Sequence, residues 1–579
     1  MTRLAMPLAA LGLLLAFTVA AGCGSSSGAA PPGDTPWEPC PSGFHDECAS
    51  LMMPLDYDAP GGTEIPIFVS RAKAYGESRA DLWLVQGGPG DSADVFGGFI
   101  DELRATVPGF DIYTIEQRGV GESARLGCPE QESPSSDDGT NISLAEVPAC
   151  LAAVQAQWPG GLKDFRSTPA ANDLAHVIGR IRAPGRPVFI YGVSYGTSVA
   201  IRYLQLRPND ATGVILDSVA PPGIAFFSDF DAQYDPVLHS LADLCAADPA
   251  CVGHLGDDPW TVLSRVTGQI ASGACPAAKL TREGLSSWVQ SLIQRDDLRV
   301  VALALLRRID RCGPQDLAAI QAFQGVAAEL LADNPSPRQS QVLYWNVVTS
   351  DLWESPAPSI AEEQSRCDAS SICGGGTLLN AKVQAMWPSF EPDPLDAHPQ
   401  VTTGSAVLLL NGDLDPQTPL PHAQAFAAGL SSPHKTFVTL RNSAHDTVNQ
   451  ANVTSPDEPT CGFQIVQSFL ANPEAPDTSC AALARPVSFE PGSDVAQTWF
   501  GVDDFWGDAP ATDAGPLAEA GEGAIDGGVD AGAEVQGGAD AEPSADDGGI
   551  DAEGDADAQL SVGDGSADGQ GKAADGALD

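Results

Sequence analysis

Short apolar runs bounded by turn-forming residues set the rhythm of the chain. Ile65-Pro66-Ile67-Phe68-Val69, Asp81-Leu82-Trp83-Leu84-Val85, Asp111-Ile112-Tyr113-Thr114-Ile115 and Gly213-Val214-Ile215-Leu216-Asp217 predict strands, as do residues 406–410 and 436–440. Residues 173–182 place Leu174, Val177, Ile178 and Ile181 at helical spacing and lead through Pro184-Gly185 into another apolar run, residues 188–193. Strands alternating with helices predict a mostly parallel sheet covered on both faces. Between residues 221 and 400 the pattern changes: helical stretches such as 300–309 and 317–331 follow one another without clear strands. The expected fold class is therefore α/β, a mostly parallel sheet flanked by helices, with an inserted helical cap domain over the site.

The run at 188–193 ends in Gly192-Val193-Ser194-Tyr195-Gly196, and residues 198–206 continue as a helix. A strand that turns sharply into a helix lifts the serine hydroxyl above the sheet, and glycine is needed where strand and helix pass too closely for a Cβ. The same five-residue pattern recurs at Gly24-Ser25-Ser26-Ser27-Gly28, with no strand before it and no helix after it. Context therefore selects Ser194 as the candidate nucleophile.

A serine hydroxyl needs a base, and the base needs a carboxylate that fixes its tautomer. Asn411-Gly412-Asp413-Leu414-Asp415-Pro416 follows one late strand and Asn442-Ser443-Ala444-His445-Asp446 the next. Asp415, with Asp413 as its competitor, is the candidate acid, and His445 the candidate base. His422 and His434 fall between them and are expected to face solvent. Oxyanion donors are expected from the amides of Tyr195, just after the nucleophile, and of Gly88, in the turn Gln86-Gly87-Gly88-Pro89-Gly90.

These motifs, with Gln117-Arg118-Gly119-Val120-Gly121-Glu122-Ser123, Asp415-Pro416-Gln417-Thr418-Pro419 and the opening Cys48-Ala49-Ser50-Leu51-Met52-Met53-Pro54, resemble the secreted tripeptidyl and prolyl aminopeptidase branch of the α/β-hydrolase superfamily. The resemblance runs in order over residues 37–485. It implies the α/β-hydrolase fold and a serine exopeptidase that removes short units from the free N-terminus of peptides through an acyl-enzyme. It also implies acidic cap residues that grip the substrate amine, for which Glu354 and Asp351 are the candidates. Gln86 stands where some members have His, and Ser443-Ala444-His445-Asp446 replaces the commoner Gly-His-Gly. An esterase or lipase with the same triad, and a non-catalytic surface lipoprotein, are the alternative readings.

Composition changes the picture in two ways. The formal net charge of −48 excludes nucleic acid as a partner, since phosphate binding needs a basic face. Residues 507–579 hold 19 Asp and Glu against one Lys, a net of −18, and almost no aromatic residues, which predicts a disordered acidic tail. At the other end Arg3, the apolar residues 8–19 and Ala20-Ala21-Gly22-Cys23 predict an export signal with a lipobox-like end, or ordinary signal cleavage. Removing Cys23 from the 13 cysteines leaves an even set that falls into sequence neighbours: Cys40/Cys48, Cys128/Cys150, Cys245/Cys251, Cys275/Cys312, Cys367/Cys373 and Cys461/Cys480. Such usage predicts disulfides in an oxidising compartment, with connectivity left open by spacing. Neither Cys-x-x-Cys nor His-Glu-x-x-His spacing occurs, so no metal or other cofactor is expected. The expected organisation is a signal peptide over 1–23, a tether over 24–36, a first core part over 37–220, the cap over 221–400, a second core part over 401–506 and the tail over 507–579. Membrane contact is expected only through an N-terminal lipid anchor, in the cell envelope or outside the cell.

Overall fold

The computed structural model describes residues 35–136, 138–270, 272–331 and 336–508. The export signal, the second Gly-x-Ser-x-Gly copy, almost all of the tether and nearly all of the acidic tail lie outside these residues.

Eleven strands occur among the described residues: β1 (Glu38–Pro39), β2 (Glu47–Pro54), β3 (Glu64–Ala72), β4 (Ala80–Val85), β5 (Phe110–Ile115), β6 (Val188–Val193), β7 (Gly213–Asp217), β8 (Val401–Thr402), β9 (Ala406–Gly412), β10 (Leu430–Ser431) and β11 (Lys435–Leu440). Nine of them form one sheet in the order β1-β2-β3-β5-β4-β6-β7-β9-β11, while β8 and β10 pair separately. From β5 to β11 every pairing is parallel, and β1, β2 and β3 add an antiparallel edge. Every residue of β4, β6, β7 and β9 is buried. Because side chains alternate across a strand, Leu82 and Leu84 join the apolar layer on one face and Trp83 and Val85 the layer on the other. That two-sided cover is why these strands read as continuous apolar runs rather than as alternation.

Between β7 and β8 the elements are helical. The helices Tyr234–Ala246, Pro259–Ile270, Arg282–Ile293, Arg299–Arg311 and Pro314–Leu330 share an apolar core of their own. Two segments depart from the boundaries expected at 221, 400 and 506. The helix Gln341–Val348 packs into the sheet's core through Val342, Leu343 and Trp345, inside the stretch assigned to the cap. Residues 487–506, assigned to the second core part, instead lay Phe489, Trp499, Phe500 and Trp506 on the helical layer's core. The Phe323 ring there is 5.7 Å from that of Trp499 and 6.1 Å from that of Phe500. Aromatic side chains of this size need apolar partners, and these find them across the molecule rather than along the chain.

All six neighbouring cysteine pairs are closed as disulfides, with Cα–Cα separations from 4.9 to 5.5 Å. This usage suits an oxidising compartment.

Candidate active site

The carboxyl ends of β4, β6, β7, β9 and β11 converge on one edge of the sheet, where open α/β sheets bind their ligands. A cleft of about 1090 Å³, its open mouth included, lies at this edge, beneath the stretch that follows β7. Gly88, Ser194, Tyr195 and His445 line it from the sheet side, and Phe226, Phe227, Phe230 and Leu352 from the other.

Ser194 sits at φ 55°, ψ −129°, between β6 and the helix Tyr195–Leu206. A side chain in this region is strained by about 1–3 kcal/mol and persists only where its surroundings enforce it. Here they do: the Ser194 amide donates to the Asp217 carbonyl at 3.0 Å, and the Thr197 amide and hydroxyl donate to the Ser194 carbonyl at 2.9 and 2.6 Å. The turn is closed by close approach. A Cβ on Gly196 would stand 2.1 Å from the Val85 carbonyl oxygen, and one on Gly87 would stand 2.7 Å from Ser194 Cβ. Gly196→Ala therefore forces β4 and the helix apart, and soluble, folded yield is expected to collapse. Ala200→Gly on the same helix costs only about 1 kcal/mol plus the packing of one methyl and serves as the control, with yield and melting temperature as readouts.

Asp415 and His445 meet across the loops after β9 and β11. The imidazole Nδ1 lies 3.0 and 3.1 Å from the two carboxylate oxygens. Asp415 Oδ1 also accepts the amides of Gln417 and Thr418, each at 2.9 Å, and Oδ2 accepts the Thr418 hydroxyl at 2.5 Å. Asp413 turns away and accepts the Asn442 amide at 2.7 Å. His434 is half-buried, and so is His422, whose pKa burial lowers. Neither is fully turned to solvent, because the helix Leu420–Gly429 that carries His422 packs against β9 and the His434 carbonyl accepts the Val407 amide of β9 at 2.8 Å.

The two loops around Ser194 and His445 are held by carboxylates that the sequence does not single out. Asp217, at the end of β7, is fully buried and accepts the amides of Thr447 and Val448 at 3.1 Å, the Thr447 hydroxyl at 2.6 Å and the Tyr191 hydroxyl at 3.0 Å. It caps the short helix that follows His445. Burial raises its pKa against those donors. Glu116 accepts the Ser92 hydroxyl at 2.6 Å and the Ala93 amide at 3.1 Å, bracing the loop that carries Gly88. Burial pushes its pKa up to about 7. Gln117 Nε2 donates to the Gln86 carbonyl at 2.6 Å, fixing the same loop. Asp217 and Glu116 leave only a slight signal in sequence, each an acid at the end of a strand.

Asp351 and Glu354 are absent from the cleft wall. Asp351 is buried on Arg166 at 2.5 Å and accepts the Ser167 amide at 2.8 Å, so it caps the helix Ser167–Ile181. Glu354 holds Arg366 at 2.6 Å, and this hydrogen bond lowers its pKa. Arg366 also meets Asp229 at 3.1 Å and Glu363 at 3.2 Å, and burial pushes Glu363 up to about 7. Asp229 lies between the cleft residues Phe227 and Phe230 in the chain.

A hydroxyl at a strained turn, an imidazole on a buried carboxylate and two amides at one cleft are the parts from which acyl transfer is built. A family model described as alpha/beta hydrolase fold matches residues 82–251, and one described as TAP-like protein matches residues 375–480. The chain is 24% identical over 495 residues to a tripeptidyl aminopeptidase of Streptomyces lividans, covering 78% of this chain and 87% of that one. It is 27% identical over 255 residues to the serine protease Hip1 of Mycobacterium bovis, covering 38% of this chain and 47% of the other. The proline iminopeptidase of Mycobacterium smegmatis, a solved structure, aligns at 15% identity with a TM-score of 0.34, over 74% of this chain and 99% of that one. The fold is that of the α/β-hydrolases, and the two family models with the Streptomyces relatives support the tripeptidyl aminopeptidase branch as the one this chain resembles.

Proposed function

We propose that the protein is a serine exopeptidase that releases short units from the free N-terminus of peptides. Ser194 Oγ attacks the scissile carbonyl while His445 accepts its proton, and Asp415 holds the imidazole with its Nδ1–H turned inward. The amides of Gly88 and Tyr195 receive the developing oxyanion. The C–N bond then breaks, His445 protonates the leaving amine, and water hydrolyses the acyl-enzyme by the same steps in reverse. The observation that carries the reading is the joining of Ser194 and His445 in one cleft with His445 seated on Asp415; the tripeptidyl aminopeptidase relative supports the choice of peptide substrates.

Glu354 is assigned to amine recognition as part of a group. Asp229, Glu354 and Glu363 surround the cation Arg366, and even with Glu363 raised to about 7 the group carries more negative than positive charge and can attract an ammonium; Asp229, between the cleft residues Phe227 and Phe230 in the chain, is its member nearest in sequence to the cleft. Asp351 acts one step back, positioning the helix whose Ser167 hydroxyl meets the Tyr195 hydroxyl at 3.0 Å.

The test is a panel of mono-, di- and tripeptide chromogenic amides, each with a free and a blocked N-terminus. Free substrates are expected to be cleaved and blocked ones to react at least about tenfold more slowly, the discrimination a lost charge pair supplies. Equal cleavage of the blocked set overturns the exopeptidase reading, and preference for acyl esters over every amide replaces it with an esterase. Glu354→Gln is expected to raise KM for the free substrates about threefold to tenfold with little change in kcat, because the pair it removes is partly exposed.

A further inference from the structure

The proposed base stands on a loop with little shape of its own. Asn442 and Asp446, which bracket Ser443-Ala444-His445, both have positive φ, 58° and 60°. The direction of the imidazole therefore depends on what grips the backbone on either side. Downstream, the grip comes from the sheet: Asp217 takes the Thr447 and Val448 amides, and Ser218 Oγ takes the Asp446 amide at 2.8 Å. Upstream, it comes from the helical layer. Asp296 lies in the turn between the helices Arg282–Ile293 and Arg299–Arg311, and its Oδ1 accepts the amide of Ala444, the residue before the histidine, at 2.9 Å.

A second side chain closes the bracket. Gln450 Nε2 donates to the His445 carbonyl at 2.7 Å, while its Oε1 accepts the Asp296 amide at 2.8 Å. The same Nε2 reaches the Gln294 carbonyl at 3.3 Å. The amide before His445 and the carbonyl of His445 are thus both tied to one turn of the helical layer, 148 residues away in the chain at Asp296.

The charges around this point do not explain the arrangement as a stabilising device. The Asp296 side chain is 12% exposed and pairs with Arg299, itself 1% exposed. Asp297, Asp413 and Arg485 are the other charged groups that act on this pair. A buried pair of this kind is often no better for stability than well-packed apolar residues of the same volume. What apolar residues cannot supply is an acceptor for the Ala444 amide.

We infer that Asp296 and Gln450 are positioning residues through which the helical layer sets the catalytic base, so that the insertion helps complete the triad as well as walling the cleft. This rests on the reading of Ser194, Asp415 and His445 given above. Displacement of a reacting group by about 1 Å can cost on the order of 100-fold in rate, so a bracket on the base's own backbone has large leverage.

The test uses the full chain and two readouts. The second-order rate of fluorophosphonate labelling reports on Ser194 and His445 independently of peptide choice, and kcat, KM and the acidic limb of the pH–rate profile are taken with the best peptide amide. Gln450→Met keeps the length of the side chain and removes all three of its hydrogen bonds at a half-exposed position, so the fold is retained. Labelling and kcat are expected to fall together about tenfold, with KM within about twofold and the acidic limb displaced, as for loss of an interaction that matters at the transition state. Asp296→Asn, which keeps an acceptor for the Ala444 amide, is expected to retain more activity than Asp296→Ala. Gln450→Met labelled at the wild-type rate with an unchanged pH profile overturns the proposal, as do Asp296→Asn and Asp296→Ala variants that fold and lose equal activity. Failure of the wild-type protein to label at all overturns the reading of Ser194 itself and removes the bracket's role with it. Loss of the bracket alone leaves Ser194 labelled, only more slowly.

Discussion

Ser194→Ala is expected to leave a folded protein with no fluorophosphonate adduct and with peptide turnover lower by a factor on the order of 10⁵ to 10⁶, the scale seen when a triad nucleophile is removed. The substitution deletes one oxygen at a position whose backbone is held by Asp217 and Thr197 rather than by the side chain, so the fold has no reason to follow. The same geometry separates two inactive variants. Alanine keeps the penalty of a Cβ at φ 55°, whereas glycine adopts that angle freely. Ser194→Gly is therefore expected to melt higher than Ser194→Ala, by an amount that corresponds to about 1 kcal/mol. Turnover by Ser194→Ala within about 100-fold of wild type, beyond what the remaining groups supply, would place the chemistry on another residue. Equal melting temperatures for the two variants would mean the elbow is not strained.

The features of this site that were legible in the sequence are those with a local signature. Gly192-Val193-Ser194-Tyr195-Gly196 is readable because the close approach of β4 to the following helix can be met only by glycine, and the apolar run before it marks a buried strand. Asp415 and His445 are readable because each follows a late strand, and in a parallel sheet such strands all end on the same edge. Asp413 and Asp415 both follow β9; the turn Asp415-Pro416-Gln417-Thr418-Pro419 favours Asp415, and in the structure Asp413 faces the Asn442 amide while Asp415 faces His445.

The groups that hold these residues have no such signature. Asp217 reads as the polar end of a strand until Thr447 and Val448 are seen to donate to it from 230 and 231 residues away. Asp351 reads as a cap acid that could grip the substrate amine, yet it is buried on the N-terminus of a helix 184 residues earlier. Residues 487–506 look like the end of the sheet domain, but their aromatic side chains are spent on the helical layer. In each case the partner is a backbone amide or an apolar face, which any sequence offers in abundance, so the residue type carries no information about which one is used. The consequence is that candidates for nucleophile, base and acid can be named from the chain, while the groups that would aim them cannot.

Asp415→Asn is the sharpest test of that aiming, and kcat is expected to fall on the order of 10⁴-fold with little change in KM, the effect of a wrong imidazole tautomer in such triads. The sign follows from the hydrogen bonds around the carboxylate. Oδ1 accepts two backbone amides, from Gln417 and Thr418, and backbone amides cannot reverse their role. An asparagine must therefore put its carbonyl oxygen there and its NH₂ at the Oδ2 position, 3.0 Å from His445 Nδ1. A donor facing Nδ1 drives the imidazole proton to Nε2, where it blocks acceptance of the serine proton. The Thr418 hydroxyl, 2.5 Å from Oδ2 and 3.2 Å from Nδ1, can turn to accept from the new amide and so reinforces the wrong orientation. Asp415→Ala lacks that donor and leaves room for water, so it is expected to lose no more activity than Asp415→Asn despite being the larger deletion. Comparison of kcat for the two variants, with fluorophosphonate labelling rates alongside, decides the matter: an asparagine variant clearly more active than the alanine variant would show that Asp415 acts by filling space and not by choosing the tautomer of His445.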